Sequence, residues 1–287
     1  MTTEGTTDGG GAAGAEAAGA GDIAVDLELD RPHSARMYDY YLGGTTNFPA
    51  DREAVAQVMA AFPTVLVTAR VNRAFMHRST RSLARQGLRQ FLDIGTGIPT
   101  SPNLHEVAQS VTPGARVVYT DNDPIVLAHA QALLRSHATG RTTYLEADVT
   151  DPESILTAPQ LHDTLDLDRP VALSLNALLH FVPDDRGAHA IVERLKAALP
   201  SGSTLTISHA TPDFDPEGVA RLAAAYASSG TPGQARTREE FARFFDGWEL
   251  AEPGIVPTHR WRPDGPADTE GVTDAEAACW AAVARKP

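Results

Sequence analysis

The chain has 287 residues, 42% hydrophobic and 21% charged, enough to bury a sizeable core in one large domain or two small ones. Its formal net charge is −13, with seven acids and no base in residues 1–30, so it offers no basic stripe for a phosphate backbone and excludes nucleic acid as a default partner. Apolar runs stay short of the roughly 18 residues of a membrane span, the start lacks the pattern of a signal peptide, and a lone cysteine, Cys279, can form no intrachain disulfide; together these predict a cytoplasmic protein that does not engage a membrane.

Residues 1–21 are a Gly/Ala-rich low-complexity tail with no bulky apolar group to offset the entropy of ordering, and disorder is predicted as far as residue 26. A short helix follows from about Ser34 to Leu42, stopped by Gly43-Gly44. A second fits Asp51–Ala61. Pro63 opens a third, with apolar residues at Leu66, Val67, Val71, Phe75 and Leu83, ending near Gly87. From Gln90 the pattern changes to alternating strands and helices. Strands are predicted at Gln90–Ile94, Ala115–Thr120, Thr142–Ala147, Pro170–Leu175, Ser203–Ser208, Trp248–Ala251 and Cys279–Ala284. Helices are predicted over Ser101–Ser110, after Asp123-Pro124 and Asp151-Pro152, over Asp184–Leu199, after Asp215-Pro216, and from the capping box Thr237–Glu240 to Phe245. The Pro/Gly-rich stretch before Cys279 reads as loop. Such alternation predicts an α/β fold: a mainly parallel sheet with helices on both faces and the ligand outside the carboxyl ends of the strands.

The chemistry-bearing residues sit at those ends. The first strand leads into Asp93-Ile94-Gly95-Thr96-Gly97, where the glycines allow a tight turn and close approach of a ligand. A dinucleotide fingerprint wants a third Gly or Ala where Thr100 stands, and a pyrophosphate gains nothing from Asp93. An acid there suits a cationic, amine-bearing ligand such as S-adenosylmethionine; the plain alternative is a structural turn. Asp121, 24 residues after Gly97, is placed to grip ribose hydroxyls, with Asn122 beside it, whereas Asp123 is more simply a helix cap. Asp148 reads as a solvated turn residue taken singly; in series with Asp93 and Asp121 it reads as an adenine contact, with Val149 against the ring. Asn176 and Ala177 would face the reacting end of the cofactor. His180 is either a general base or a histidine that packs against the next helix.

The series Asp93-x-Gly95-x-Gly97, Asp121, Asp148 and Asn176–His180 resembles class I S-adenosylmethionine-dependent methyltransferases. More specifically, RPHSARMYDYYLGGTTNFPADREA, FLDIGTGIPT, VVYTDNDPIVLAHA and CWAAVARKP are similar to the actinobacterial S-adenosyl methyltransferase family formerly known as a domain of unknown function, over about Arg31 to Pro287. The resemblance implies a seven-stranded Rossmann-like sheet over residues 88–287 behind a helical extension over 27–87. It implies S-adenosyl-L-methionine as cofactor, S-adenosyl-L-homocysteine as product, and no metal. It identifies no acceptor; a small molecule fits the charge, and the sequence does not set the oligomeric state. The extension reads either as a lid that brings Arg36 to the methionine carboxylate, Tyr38 near the sulfonium and Gly43 as part of a hinge, or as a helix that merely docks the N-terminus. Two other functions remain open: a non-catalytic protein that binds the cofactor or its product, and a nicotinamide-dependent oxidoreductase.

Overall fold

The computed structural model describes residues 27–133 and 136–287, so the predicted tail over 1–26 lies outside the described residues. Three helices come first: α1 (Ser34–Tyr41), α2 (Pro49–Ala61) and α3 (Val65–Arg85). Next come β1 (Gln90–Ile94), α4 (Leu104–Val111), β2 (Arg116–Asp121), α5 (Pro124–Leu133), β3 (Arg141–Glu146), α6 (Pro152–Leu156), α7 (Pro159–Thr164) and β4 (Ala172–Asn176). The chain continues through α8 (Ala188–Ala197), β5 (Thr204–Ala210), α9 (Pro216–Ser228), α10 (Arg238–Ala242), β6 (Glu249–Leu250), β7 (Val256–Pro257), α11 (Asp274–Ala277) and β8 (Cys279–Arg285).

The sheet runs β3-β2-β1-β4-β5-β8-β6, with the two-residue β7 pairing on β8 off this path. The first five strands are parallel, and β8 inserts antiparallel against β5. This is the expected mainly parallel Rossmann-like sheet, carrying one short strand more than the seven predicted. Strand order reverses between β1 and β4, so the crevice for a ligand opens above Ile94 and Asn176.

Period-two alternation divides the core. Leu92, Ile94, Val118, Leu173 and Leu205 face one side, against Ile155, Leu161, Ile191 and Phe244. Phe91, Val117, Tyr119 and Val283 face the other, against Phe75, Leu83 and Leu104 of α3 and α4 and against Trp261. Each such side chain contributes about 1.5–3 kcal/mol on burial. A separate cluster joins Met37, Tyr41, Val55 and Val58 of α1 and α2 to Val65 and Ala69 of α3 and Val219 of α9. Among the described residues no single helix is long and apolar enough to cross a membrane.

Three elements differ from their sequence expectation. The run read as one helix from Asp184 is a 3₁₀ turn, Asp184–Arg186, separated from α8 by Gly187 at φ +80°, a left-handed residue that ends the turn. The helix after Asp151-Pro152 stops at Leu156, and α7 restarts at Pro159, which occupies the first turn. The stretch read as loop before Cys279 contains β7 and α11; the latter is opened by a Thr273–Glu276 capping box of the same form as Thr237–Glu240.

Candidate active site

Asp93 is the second-last residue of β1, 8% exposed, and burial pushes its carboxyl up to about 6 against hydrogen bonds from Thr96 and Ser174 and the charge of Arg73. Gly95 and Gly97 have φ of +71° and +69°, which an L side chain rarely adopts. Gly95 is also pressed from above: a Cβ there would lie 2.6 Å from Leu178 Cδ1. Over Gly97 the space is open, with nothing within 4 Å of the corresponding Cβ position.

Asp121 ends β2. Its Oδ2 accepts from Gly97 N at 2.8 Å and its Oδ1 from Asp123 N at 3.1 Å, which ties the glycine turn to the neighbouring strand. Each oxygen keeps a second acceptor direction for a ligand. Burial raises the pKa of this carboxyl as well. Asn122 Nδ2 donates to Asp148 Oδ2 at 3.0 Å, joining the ends of β2 and β3. Although burial raises it, hydrogen bonds from Thr150 and Asn122 hold Asp148 below the usual carboxylate range. Val149, 6% exposed, supplies an apolar surface beside it.

At the end of β4, Asn176 Nδ2 donates to Ser174 Oγ at 2.7 Å, and its Oδ1 is buried without a hydrogen-bond partner among the described residues. Ala177 takes φ +51°, strained for a residue with a Cβ, and is held by Ser208, whose Oγ accepts from its N–H at 3.0 Å. The 3₁₀ turn Leu179–Phe181 then carries His180 into the cavity wall. Burial, and then the charge of Arg236, push His180 down to about 4, so it is neutral at physiological pH. Its Nδ1 is buried and unpartnered among the described residues.

Fully buried Arg236 holds this turn in place. It donates to the carbonyls of Leu179 at 3.0 Å and Val182 at 2.9 Å, to Asp184 Oδ1 at 2.7 Å, and to His209 Nε2 at 2.7 Å. His209 therefore accepts at Nε2 and donates from Nδ1 to Ala210 O at 2.8 Å; burial keeps it neutral.

The strand-end residues and His180 line one cavity of about 210 Å³, bordered on its other sides by α1, α3 and α9. The structure brings Asp93, Gly95, Thr96, Gly97, Asp121 and Asn122 together there with Asp148, Val149, Asn176, Ala177 and His180. Tyr38 is there too, but its hydroxyl already donates to Ala69 O and accepts from Asn72 Nδ2. Arg36 and Gly43 are not brought to the cavity wall. Arg36 is 2% exposed and turned into the protein, where it ion-pairs with Asp123 at 3.3 Å and Asp51 at 3.6 Å and donates to Arg31 O at 3.0 Å. Gly43 supplies a φ of +80° for the turn after α1, and Gly44 packs against Asp39, whose Oδ1 would lie 2.0 Å from a Cβ there.

Sequence reasoning missed Arg73, Asn72 and Met76 of α3 and Leu222 and Tyr226 of α9, all of which line the cavity. One signal was present. Val65, Thr68, Ala69, Asn72, Arg73 and Met76 recur at helical spacing, so polar residues interrupt an otherwise buried stripe. Arg73 is the cation of this wall, donating to Thr100 O and to Pro102 O while its charge acts on Asp93.

The residues present fit S-adenosyl-L-methionine. Carboxylates stand at three successive strand ends, an unpartnered amide oxygen lies at the fourth, and an open space lies over Gly97. They do not fit a dinucleotide. The helix after the glycine turn begins only at Leu104, and its N-terminus is closed by Glu106, which accepts from Asn103 N–H where a pyrophosphate would need free donors.

A family model described as S-adenosyl methyltransferase matches residues 21–287. Among solved structures, the chain is similar to a DUF574 family protein from Streptomyces avermitilis, with 53% identity, 91% of this chain and 100% of that chain covered, and a TM-score of 0.89. It is also similar to a protein of Thermobifida fusca described as a methyltransferase, with 41% identity, coverage of 91% and 97%, and a TM-score of 0.85. No curated protein matches. The strand order, the acidic strand ends around one cavity and the match over residues 21–287 lead to one conclusion: the chain belongs to the S-adenosyl methyltransferase family, with S-adenosyl-L-methionine as its cofactor.

Proposed function

We propose that this cavity transfers a methyl group from S-adenosyl-L-methionine to a small-molecule acceptor. The observation that carries the reading is the convergence of Asp93, Asp121, Asp148, Arg73 and His180 on one cavity. Bound S-adenosyl-L-methionine supplies a methyl group activated on a sulfonium. Asp121 accepts from the ribose hydroxyls on the faces its backbone partners leave free. Asp148 accepts from the adenine amino group, and Val149 packs on the ring. Asp93 faces the amino group of the methionine end, and Arg73 takes over the carboxylate role that the sequence suggested for Arg36. Asn176 and His180 receive the acceptor, whose alignment by the surrounding wall supplies much of the rate. The size of the cavity, about 210 Å³, and the acidic chain favour a small acceptor over a nucleic acid.

Calorimetry with S-adenosyl-L-homocysteine, combined with release of methyl label to a panel of small molecules, tests the reading. Asp121→Ala removes a charged acceptor and should weaken S-adenosyl-L-homocysteine by about 1.5–3 kcal/mol per lost hydrogen bond. An affinity unchanged within about twofold in the folded variant would place the ribose elsewhere. Tight binding with no label transferred to any acceptor would favour the cofactor-binding role without catalysis.

A further inference from the structure

The half of the cavity away from the strand ends has a different chemistry. Tyr41 of α1, Val65 and Ala69 of α3, and Leu222 and Tyr226 of α9 line it, and all belong to the apolar cluster of those helices. The charged groups of the wall stand elsewhere: the three carboxylates at strand ends and Arg73 beside Asp93. The hydroxyls of this half are already engaged. Tyr41 and Tyr226 share a hydrogen bond at 3.0 Å, and Thr68 donates to Glu276 O at 2.7 Å. Burial raises Tyr41 well above its ordinary value and pushes Tyr226 and Cys279 up to about 12, so none of the three carries charge at physiological pH.

An aromatic run leads from this chamber to the reacting end. The Tyr226 ring lies 5.5 Å from the Phe181 ring, which lies 4.4 Å from the His180 ring. The turn that bears His180 is backed by Gln234, which donates to His180 O at 2.7 Å, and by Gly233, where a Cβ would come within 2.7 Å of the same oxygen. A charged acceptor entering here would lose its hydration and find no countercharge. A neutral ring would find aromatic faces and edges.

Building on the methyltransferase reading above, we propose that the acceptor is a neutral aromatic compound with a phenolic hydroxyl, seated between α1, α3 and α9 with that hydroxyl at His180. The phenolic oxygen bonds to the methyl carbon while the carbon–sulfur bond breaks and its electron pair stays on sulfur. The phenolic proton passes to the neutral imidazole of His180 and leaves from there to water. A protonated aryl ether is far more acidic than an imidazolium, so an imidazole of low basicity is sufficient once the carbon–oxygen bond forms. The site holds one positive charge before the step, on sulfur, and one after it, on His180, so the step creates no net charge in the buried cavity.

The test is calorimetry on the full chain loaded with S-adenosyl-L-homocysteine, with 2-naphthol, 2-naphthoate and naphthalen-2-ylmethylammonium as probes of matched size. We expect 2-naphthol to bind at least about tenfold more tightly than either ion. Leu222→Lys, which puts an ammonium on the α9 wall of this chamber, should shift the ratio by about tenfold toward 2-naphthoate. Equal or tighter binding of an ion by the unaltered chain, failure of all three probes to bind the loaded protein, or an unchanged ratio in the folded Leu222→Lys variant would each overturn the acceptor class. Failure of the unaltered chain to bind S-adenosyl-L-homocysteine would instead overturn the methyltransferase reading.

Discussion

Asp93 shows how a single buried side chain couples position to charge. Its carboxyl titrates near 6, mainly because burial disfavours the ionised form. A carboxyl raised on folding is more protonated in the folded than in the unfolded chain between about pH 4 and about pH 6. Its contribution to stability is therefore fullest below about pH 4 and declines as pH rises through about 6. Binding of an amine has the opposite sign, because the ionised carboxylate that attracts it appears only above that range. S-adenosyl-L-homocysteine affinity should fall by up to about tenfold per pH unit below about 6. Asp93→Asn should flatten the profile. Calorimetry across pH 5–7.5 measures this, and an Asp93→Asn profile as steep as that of the unaltered chain would remove Asp93 from the amine site.

Helix α1 is joined to the sheet by charge as well as by packing. Met37 and Tyr41 enter the apolar cluster with α2 and α9, while Arg36 bridges Asp51 of α2 and Asp123 after β2. Breaking a buried pair by removing one partner leaves an uncompensated charge and costs about 3–5 kcal/mol. Arg36→Met should lower stability by that order in urea unfolding, and a loss under about 1 kcal/mol would show that the ion pairs are idle. Any loss of affinity should be shared by adenosine and S-adenosyl-L-homocysteine, because Arg36 does not reach the cavity. Arg73→Ala should weaken only the ligand that bears the methionine carboxylate. The glycine pair after α1 also has a local cause: Gly44 leaves room for the Asp39 carboxylate, which accepts from Asn47 Nδ2 at 3.0 Å.

In the whole molecule, the cavity draws its walls from both the helical extension and the sheet, so a ligand that fills it stabilises the entire fold. S-adenosyl-L-homocysteine at about 100 times its Kd should add about 2.7 kcal/mol to stability. For a chain of this length that raises Tm by roughly 5–10 °C. NAD at the same concentration should leave Tm unchanged, because α4 offers it no open N-terminus. Thermal unfolding followed by circular dichroism decides this, and a larger shift with NAD than with S-adenosyl-L-homocysteine would contradict the fit of the site.

The strand–helix alternation, the glycine turn and the acidic strand ends were legible in the chain alone, because each rests on local rules: period-two apolar runs, Asp-Pro helix starts and residues that tolerate a left-handed turn. Those rules located β1 at Gln90–Ile94 to the residue and placed Asp93, Asp121, Asp148 and His180 beside one crevice. Local rules could not choose among arginines. Arg36 stands in a polar, tyrosine-rich segment, and Arg73 lies within an ordinary amphipathic helix. Only the packing of α1 against Asp51 and Asp123 turned the first inward and left the second on the cavity wall. The acceptor chamber was hidden for the same reason. Tyr41, Phe181 and Tyr226 are separated by up to 185 residues along the chain. They become one surface only when α9 folds back against α1 and the turn after β4.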